Sequence, residues 1–255
     1  MQKEEDYDYF VTRKMGRQLL KSPYDTTWWN SSKYRLCLHR FDPLPRDARV
    51  LDLGCGLGQT AYFLAEVSGE VTGIDRSAFA IQFAIENYKR PNLQFVQADI
   101  FVYKPQVLVD AVFCMDLIEH LDREEGKKLL QKIFGFLKPG GRLYAHVPIA
   151  ESVAGTKKLE KYKRNHPDHG LIIDHTGDLT HKSTFSVSSF RELFEECGFI
   201  VSQEIRKVHG WRPFRWLYRG LLKLPMLPLS WKDRATYSYI VLAQPILISD
   251  ESKKY

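Results

Sequence analysis

Cysteine is scarce in this sequence, and long apolar runs are absent. Its four cysteines are widely separated and form no C-x-x-C pair: Cys37, Cys55, Cys114 and Cys197. This spacing argues against a disulfide framework and a zinc site, and it is typical of reduced thiols in the cytosol. No apolar run reaches membrane-spanning length, and the first thirty residues carry too many charges for a signal peptide. We therefore expect a cytoplasmic protein, soluble or peripheral to a membrane.

Internal repeats and low-complexity segments are also missing, which excludes solenoid and fibrous architectures. The length of 255 residues and the hydrophobic content of 44% suffice for one α/β domain with a buried core. The net charge of +6 is mild, so it permits anionic partners without demonstrating any.

Predicted strands and helices alternate along most of the chain. Strands are predicted at 49–53, 71–75, 93–98, 111–115 and 142–147, with a closing pair at 199–205 and 237–243. Helices are predicted at 59–67, 77–88, 124–137 and 188–197, and the Lys-Pro-Gly-Gly run at 138–141 is interpreted as a helix stop and turn. Alternation of this kind predicts a mainly parallel sheet with ligands at the carboxyl ends of its strands.

A glycine-rich turn follows the first predicted strand, with glycines at alternate positions 54, 56 and 58. Glycine lets the backbone turn tightly and approach a ligand closely. The helix that follows offers N–H groups and positive dipole character to an anionic ligand group. The pattern indicates a nucleotide-type cofactor site.

The glycine spacing argues against a dinucleotide. The dinucleotide fingerprint is G-x-G-x-x-G, and its third glycine position is occupied here by Gln59. Asp52, just before the turn, would repel a pyrophosphate but attract a ligand ammonium group. Asp75 closes the second predicted strand, where a carboxylate can accept hydrogen bonds from both ribose hydroxyls. A nicotinamide oxidoreductase is therefore disfavoured.

Five motifs between positions 49 and 148 resemble the motif series of class I S-adenosylmethionine-dependent methyltransferases: VLDLGCGLG, VTGIDRS, FVQADI, FCMDLIEHL and LKPGGRLYAHVP. The resemblance implies a doubly wound, Rossmann-like α/β fold with a seven-stranded, mostly parallel sheet and one antiparallel closing strand. It also implies S-adenosylmethionine as cofactor, with the amino-acid end at the glycines, the ribose on Asp75, the adenine against Asp99 and Ile100, and the sulfonium beside Asp116 and Leu117. The cofactor-binding residues implied are Asp52, Gly54, Cys55, Gly56, Gly58, Asp75, Arg76, Asp99, Ile100, Asp116 and Leu117.

Histidines and a glutamate form the predicted catalytic group. Glu119 and His120 follow the fourth strand, and His181 lies in a T-H-x-x-x-F-S stretch that resembles small-molecule and glycan methyltransferases. Together with Asp116, they also resemble the divalent-metal site of ubiquinone-biosynthesis O-methyltransferases and small-RNA 2′-O-methyltransferases, although Asp116 stands where that pattern has Glu. Three roles stay open: a Mg²⁺ or Zn²⁺ site, a histidine general base without metal, and a structural role.

The methyl acceptor is predicted to be a hydroxyl group. Methylation of an aryl or exocyclic amine needs Asn/Asp-Pro-Pro-Tyr/Phe after the fourth strand, whereas this chain has Met-Asp-Leu-Ile-Glu there, which disfavours adenine-N6 and glutamine methylation. We expect a small or lipid-linked hydroxyl compound, with a sugar of a surface glycan slightly ahead of a quinone precursor. The alternatives are an RNA or protein methyltransferase and a non-catalytic S-adenosylmethionine-binding protein.

Three segments lie outside the predicted cofactor core of the methyltransferase domain at 46–255. Residues 1–45 are rich in aromatics and either cap the cofactor or pack on the sheet edge. Residues 149–186 form a substrate-facing insertion with four histidines, which are either metal ligands or hydrogen-bonded surface groups. Residues 206–234 mix basic and aromatic residues, as in an interfacial helix at the inner membrane surface or an ordinary packed helix. No nucleic-acid-binding module is apparent, and the pattern does not predict an oligomeric state.

Overall fold

A seven-stranded sheet organises the part of the chain that the structure describes. The structure is a computed structural model, and it describes residues 20–24, 33–149, 181–208 and 236–246. Strands β1 to β7 are Arg49–Leu53, Glu70–Asp75, Leu93–Gln97, Val109–Met115, Leu137–Pro148, Phe199–Val208 and Thr236–Pro245. Their order across the sheet is β3-β2-β1-β4-β5-β7-β6. Neighbours among β1 to β5 are parallel, and β7 runs antiparallel to β5 and β6, which confirms the predicted fold class.

Capping residues that are visible in the sequence stand at the N-termini of two helices. Helices α1 to α5 are Lys33–Arg40, Gln59–Leu64, Ala78–Asn87, Arg123–Phe136 and Val187–Glu196. The Ser77 side chain accepts a hydrogen bond from the Ala80 N–H at 3.2 Å and so caps α3. Asp122 and Glu125 form a capping box at the start of α4. These caps satisfy N–H groups that would otherwise have no partner within the helix.

Alternate residues of each central strand face two separate apolar layers. On β1, Leu51 and Leu53 pack in one layer, which also contains the buried faces of α4 and α5. Val50 faces the other layer, which holds apolar residues of α1 and α2. Both faces of the central sheet are therefore covered, as a parallel sheet requires.

The strand order reverses direction between β1 and β4. In open α/β sheets a ligand crevice forms at such a reversal, outside the carboxyl ends of the strands. The glycine turn follows β1 there, and Asp116 follows β4. The topology thus places the two predicted halves of the site next to each other.

The start of β5 differs from the prediction. Helix α4 ends at Phe136, near its predicted end, but the strand starts at Leu137 and not at Arg142. Leu137 already pairs with Val109 of β4, and the register then shifts before Ala111 pairs with Arg142. The residues predicted to form a turn at 138–141 therefore belong to the irregular first part of β5. The strand begins directly after α4, because Val109 of β4 is available to pair with Leu137.

Some predictions fall on residues that the structure does not describe. Most of the aromatic segment at 1–45, the histidine-rich part of the insertion at 150–180 and the basic aromatic segment at 209–235 lie outside the described residues. The domain boundaries and the membrane contact therefore stay predictions. Among the described residues, no helix is long and apolar enough to span a bilayer.

Candidate functional site

The glycine turn after β1 adopts backbone conformations that favour glycine. Gly54, Gly56 and Gly58 have φ angles of 72°, 53° and 85°, all in the left-handed region. The N–H groups of Gly54 and Cys55 both donate to the Ile74 carbonyl, at 2.8 and 2.9 Å, so the turn is anchored to β2. The turn is therefore a rigid feature at the carboxyl end of the sheet.

Asp75, at the end of β2, is held by two backbone donors. Its Oδ2 accepts from the Gly56 N–H and its Oδ1 from the Ser77 N–H, both at 2.9 Å. A carboxylate can accept about four hydrogen bonds. Asp75 is thus oriented by the glycine turn itself and is compatible with ribose hydroxyls as further donors.

Asp52 and Cys55 lie beneath the turn and not on its surface. Asp52 is 0% exposed and Cys55 is 8% exposed. Burial raises the pKa of the Cys55 thiol well above its usual range, and the nearby Asp52 and Asp75 carboxylates add to this shift. The thiol is therefore neutral at physiological pH, and it serves packing and not nucleophilic chemistry.

The predicted adenine side of the site lies after β2 and β3. Asp99 is exposed, and its Oδ1 accepts a hydrogen bond from the Phe101 N–H at 2.7 Å. Ile100 is half-buried against the main apolar layer, and Arg76 is exposed directly after Asp75. Their positions after neighbouring strands agree with one continuous crevice beginning at the glycine turn.

Asp116 stands after β4 with an unusual backbone. Its φ is 57°, in the left-handed region, and its side chain is 46% exposed. Its Oδ1 lies 2.6 Å from Nδ1 of His146, which is 1% exposed. Leu117 follows and packs on the turn, since a Cβ added to Gly54 would lie 3.2 Å from Leu117 Cδ1.

His146 is a site residue that we did not predict from the sequence. It lies in the buried stretch 143–147 of β5, where its neighbours are apolar or aromatic. A polar side chain in a fully buried strand was the available signal, because such a group needs a partner.

Glu119, His120 and His181 come together, although His181 is distant in sequence. Glu119 is 1% exposed and His181 is 7% exposed. The imidazole rings of His120 and His181 stand edge to face, with centroids 4.7 Å apart. The three residues can each offer one ligand atom, all within 4.8 Å of one another.

Backbone hydrogen bonds explain how His181 reaches this position. The N–H groups of Lys182 and Ser183 both donate to the Glu119 carbonyl, at 2.8 and 3.0 Å. The Ser183 hydroxyl donates to the Leu121 carbonyl at 2.6 Å. The segment that begins at His181 is therefore fastened along the turn Ile118–His120.

Glu119 connects two groups of ionisable residues. It belongs to the group with His120 and His181, and also to a second group with Asp116 and His146, whose ligand atoms lie within 4.8 Å of one another. The four residues predicted to form one metal site, Asp116, Glu119, His120 and His181, therefore lie in two groups that share Glu119. Asp116 contacts His146 in the second group. The arrangement combines a buried carboxylate with imidazoles, which suits either proton transfer or a divalent cation.

Comparisons with known proteins agree with this geometry. Residues 50–141 match a family described as a methyltransferase domain. The ubiquinone biosynthesis O-methyltransferase of Xanthomonas axonopodis pv. citri is 27% identical over 131 residues, which are 46% of this chain and 54% of that protein. The protein with the same name from Coxiella burnetii is 28% identical over 130 residues, or 46% of this chain and 55% of that one. The chain spans about half the length of these curated relatives.

Solved structures share the fold at low sequence identity. The N-methyltransferase NodS from Bradyrhizobium japonicum, in complex with S-adenosyl-L-homocysteine, has a TM-score of 0.60 at 12% identity, covering 96% of this chain and 99% of that one. Magnesium protoporphyrin IX methyltransferase from Synechocystis, with the same compound bound, has a TM-score of 0.58 at 16% identity, covering 94% and 92%. Residues 50–141 therefore match a methyltransferase domain, and the described residues share the fold of these solved structures.

Proposed function

We propose that this protein transfers the methyl group of S-adenosylmethionine to a hydroxyl group of a small or lipid-linked acceptor. The proposal rests on one observation: His120 and His181 lie next to each other and next to the buried carboxylate of Glu119. This group is close to Asp116, where the strand order reverses between β1 and β4. A hydroxyl acceptor must lose a proton during methylation, and an imidazole is suited to accept it near neutral pH.

The residues of the crevice fit S-adenosylmethionine. The left-handed glycines keep the turn free of side chains where the amino-acid end would lie. Asp75, fixed by Gly56 and Ser77, would accept hydrogen bonds from the ribose. Asp99 and Ile100 would contact the adenine, and Asp116 would place a carboxylate near the positive sulfonium.

Bound S-adenosylmethionine supplies an electrophilic methyl group for in-line displacement. The chain's contribution is to hold the acceptor oxygen in line with that group and to remove the hydroxyl proton. His120 or His181 would accept the proton at a ring nitrogen as the oxygen attacks. Glu119 would then stabilise the resulting imidazolium, because its buried carboxylate is adjacent to both rings.

A divalent cation is an alternative way to acidify the same hydroxyl. Glu119, His120 and His181 offer an oxygen and two nitrogens, a donor set that Zn²⁺ and related ions accept. Ligands on such an ion are separated by at most about 4 Å, so a spread of up to 4.8 Å requires only a small side-chain movement. When bound, the ion would act as a Lewis acid on the acceptor oxygen.

Two independent observations support the proposed acceptor class. Asp116, Leu117 and the turn Ile118–His120 occupy the place where an amine-gripping Pro-Pro-aromatic motif would follow the fourth strand. The curated relatives are named as ubiquinone biosynthesis O-methyltransferases. We therefore place a phenolic quinone precursor ahead of a surface-glycan sugar, which reverses the order expected from the sequence.

Methyl-label transfer tests the proposal. The purified protein is incubated with methyl-labelled S-adenosylmethionine and a lysate separated into lipid, small-molecule, polysaccharide, RNA and protein pools. We expect label in the lipid or small-molecule pool, and loss of label with Asp75→Ala. Label in RNA or protein would contradict the hydroxyl small-molecule acceptor, and binding without any transfer would favour a non-catalytic protein.

Two further arms separate the roles of the histidines. Of His120→Ala and His181→Ala, we expect the variant that removes the base to lower the rate at least about 100-fold, and the other variant to lower it less. The exposed His39→Ala on α1 serves as the matched control. Transfer that survives EDTA supports the histidine base. Loss with EDTA and recovery with Mg²⁺ or Zn²⁺ would instead establish the metal role.

A further inference from the structure

Asp116 is held in a left-handed backbone conformation that is uncommon for residues other than glycine, although aspartate adopts it more readily than most. Among the residues that the structure describes, it is the one non-glycine residue with a positive φ, at 57°. For a non-glycine residue this region costs about 1–3 kcal/mol, and it persists only where the surroundings impose it.

His146 contacts both the side chain and the main chain of Asp116. Its Nδ1 lies 2.6 Å from Asp116 Oδ1, and its carbonyl accepts a hydrogen bond from the Asp116 N–H at 3.3 Å. The parallel register pairs His146 with Met115, the residue just before Asp116. Since the imidazole is 1% exposed, it is a fixed anchor, whereas the Asp116 side chain is 46% exposed.

The conformation of Asp116 sets the position of the next residue. Leu117 packs so closely on the glycine turn that a Cβ on Gly54 would lie 3.2 Å from its Cδ1. Without the left-handed turn at Asp116, the chain leaving β4 would take another direction and Leu117 would leave Gly54. The contact between His146 and Asp116 therefore extends to the floor of the cofactor crevice.

We propose that His146 is a positioning residue for the cofactor site. It holds Asp116 in the left-handed conformation and, through Leu117, keeps the floor of the crevice against the glycine turn. The statement that this floor receives S-adenosylmethionine rests on the proposed function. His146 is thus distinguished from a core histidine whose only effect is on folding stability.

Two substitutions at Asp116 test the backbone part of the proposal. Asp116→Gly and Asp116→Ala both remove the carboxylate, but glycine adopts positive φ freely and alanine does not. We expect Asp116→Ala to bind S-adenosylmethionine about fivefold more weakly than Asp116→Gly in calorimetric titrations. Equal affinities for the two variants would overturn the proposal.

Substitutions at His146 test the anchor. We expect His146→Leu to weaken cofactor binding about tenfold, and His146→Asn, whose amide can donate from a similar position, to restore most of the loss. In an Asp116→Gly background, the effect of His146→Leu should fall below about twofold, because the conformation no longer needs an anchor. A fall in melting temperature with unchanged affinity would overturn the proposal and assign His146 a structural role.

Crystal structures without ligand separate this inference from the proposed function. In His146→Leu we expect Asp116 to leave the left-handed region and Leu117 to move away from Gly54, whereas an unchanged Asp116 φ would refute the inference. Failure of the unaltered protein to bind S-adenosylmethionine would refute the proposed function instead, and the ligand-free structures would still decide the role of His146. If His146→Leu does not fold, the comparison of Asp116→Gly with Asp116→Ala decides it.

Discussion

Replacement of Gly58 by alanine is a severe test of how the glycine turn is built. Gly58 has a φ of 85°, and a Cβ there would lie 2.6 Å from the Ala84 Cβ and 2.8 Å from Phe95 Cε1. The first neighbour belongs to α3 and the second to β3. Neither is the flexible end of a long side chain, so the collision cannot be relieved by a simple rotation.

The expected cost has two parts. Placing alanine in the left-handed region costs roughly 1–2 kcal/mol, and overpacking a well-filled site costs about 1–3 kcal/mol more. Gly58→Ala should therefore lower the free energy of unfolding by about 2–5 kcal/mol. The substitution should also weaken S-adenosylmethionine binding, because the turn must shift to make room for the alanine side chain.

Gly140 is the matched control. Its φ is 76°, but a Cβ there would meet no atom within 4 Å. Gly140→Ala should therefore cost only the backbone part, about 1–2 kcal/mol. Urea denaturation of the three proteins measures both losses. Equal losses of unfolding free energy in Gly58→Ala and Gly140→Ala would refute the claim that α3 and β3 pack against the glycine turn at Gly58.

Three other predictions concern charge, helix stability and thiol chemistry. Partial burial raises the pKa of Asp110, but hydrogen bonds from Lys138, at 2.8 Å, and from the Arg49 N–H outweigh it, so the net shift is downward. Asp110→Asn should therefore lower the free energy of unfolding by about 1 kcal/mol or less at pH 7. This loss should begin to shrink as pH falls below the ordinary carboxyl pKa and vanish only below the lowered pKa of Asp110; a loss that does not shrink with falling pH would contradict this origin. Gly126→Ala should stabilise α4 by about 0.5–1 kcal/mol in urea denaturation, since its Cβ would meet atoms no closer than 3.7 Å, and a destabilised variant would contradict that spacing. Because Cys55 is buried with a raised pKa, mass spectrometry should find it unmodified by iodoacetamide in native protein and modified in urea, and rapid native labelling would count against the buried position.

Much of the fold could be predicted from local patterns. Strand β1 occupies its predicted range of 49–53. Helices α3 and α4 begin at the N-terminal capping residues Ser77 and Asp122, whose residue types are typical of such caps. Hydrophobic periodicity and caps act over a few residues, so they are visible without tertiary information. The entry to β5 was predicted incorrectly because it depends on pairing with Val109 of another strand.

The site shows the same division. The glycine turn and the place of Asp75 at the end of β2 could be predicted because both are local features, whereas their binding of a cofactor stays a prediction. The approach of His181 to His120 agrees with the grouping expected from a motif resemblance, although their separation in the sequence gives no distance. The contact of His146 with Asp116 could not be predicted, because it depends on the register between β4 and β5 and on the backbone of Asp116, neither of which a single sequence displays.

Calorimetric titration of S-adenosylmethionine into the unaltered protein and into Asp75→Ala tests whether the glycine turn and Asp75 bind this cofactor. We expect one site in the unaltered protein, competition by S-adenosylhomocysteine but not by NAD, and at least about tenfold weaker binding in the variant, because charge-assisted hydrogen bonds are lost. No binding to the unaltered protein, or equal affinity in a folded Asp75→Ala variant, would contradict this expectation.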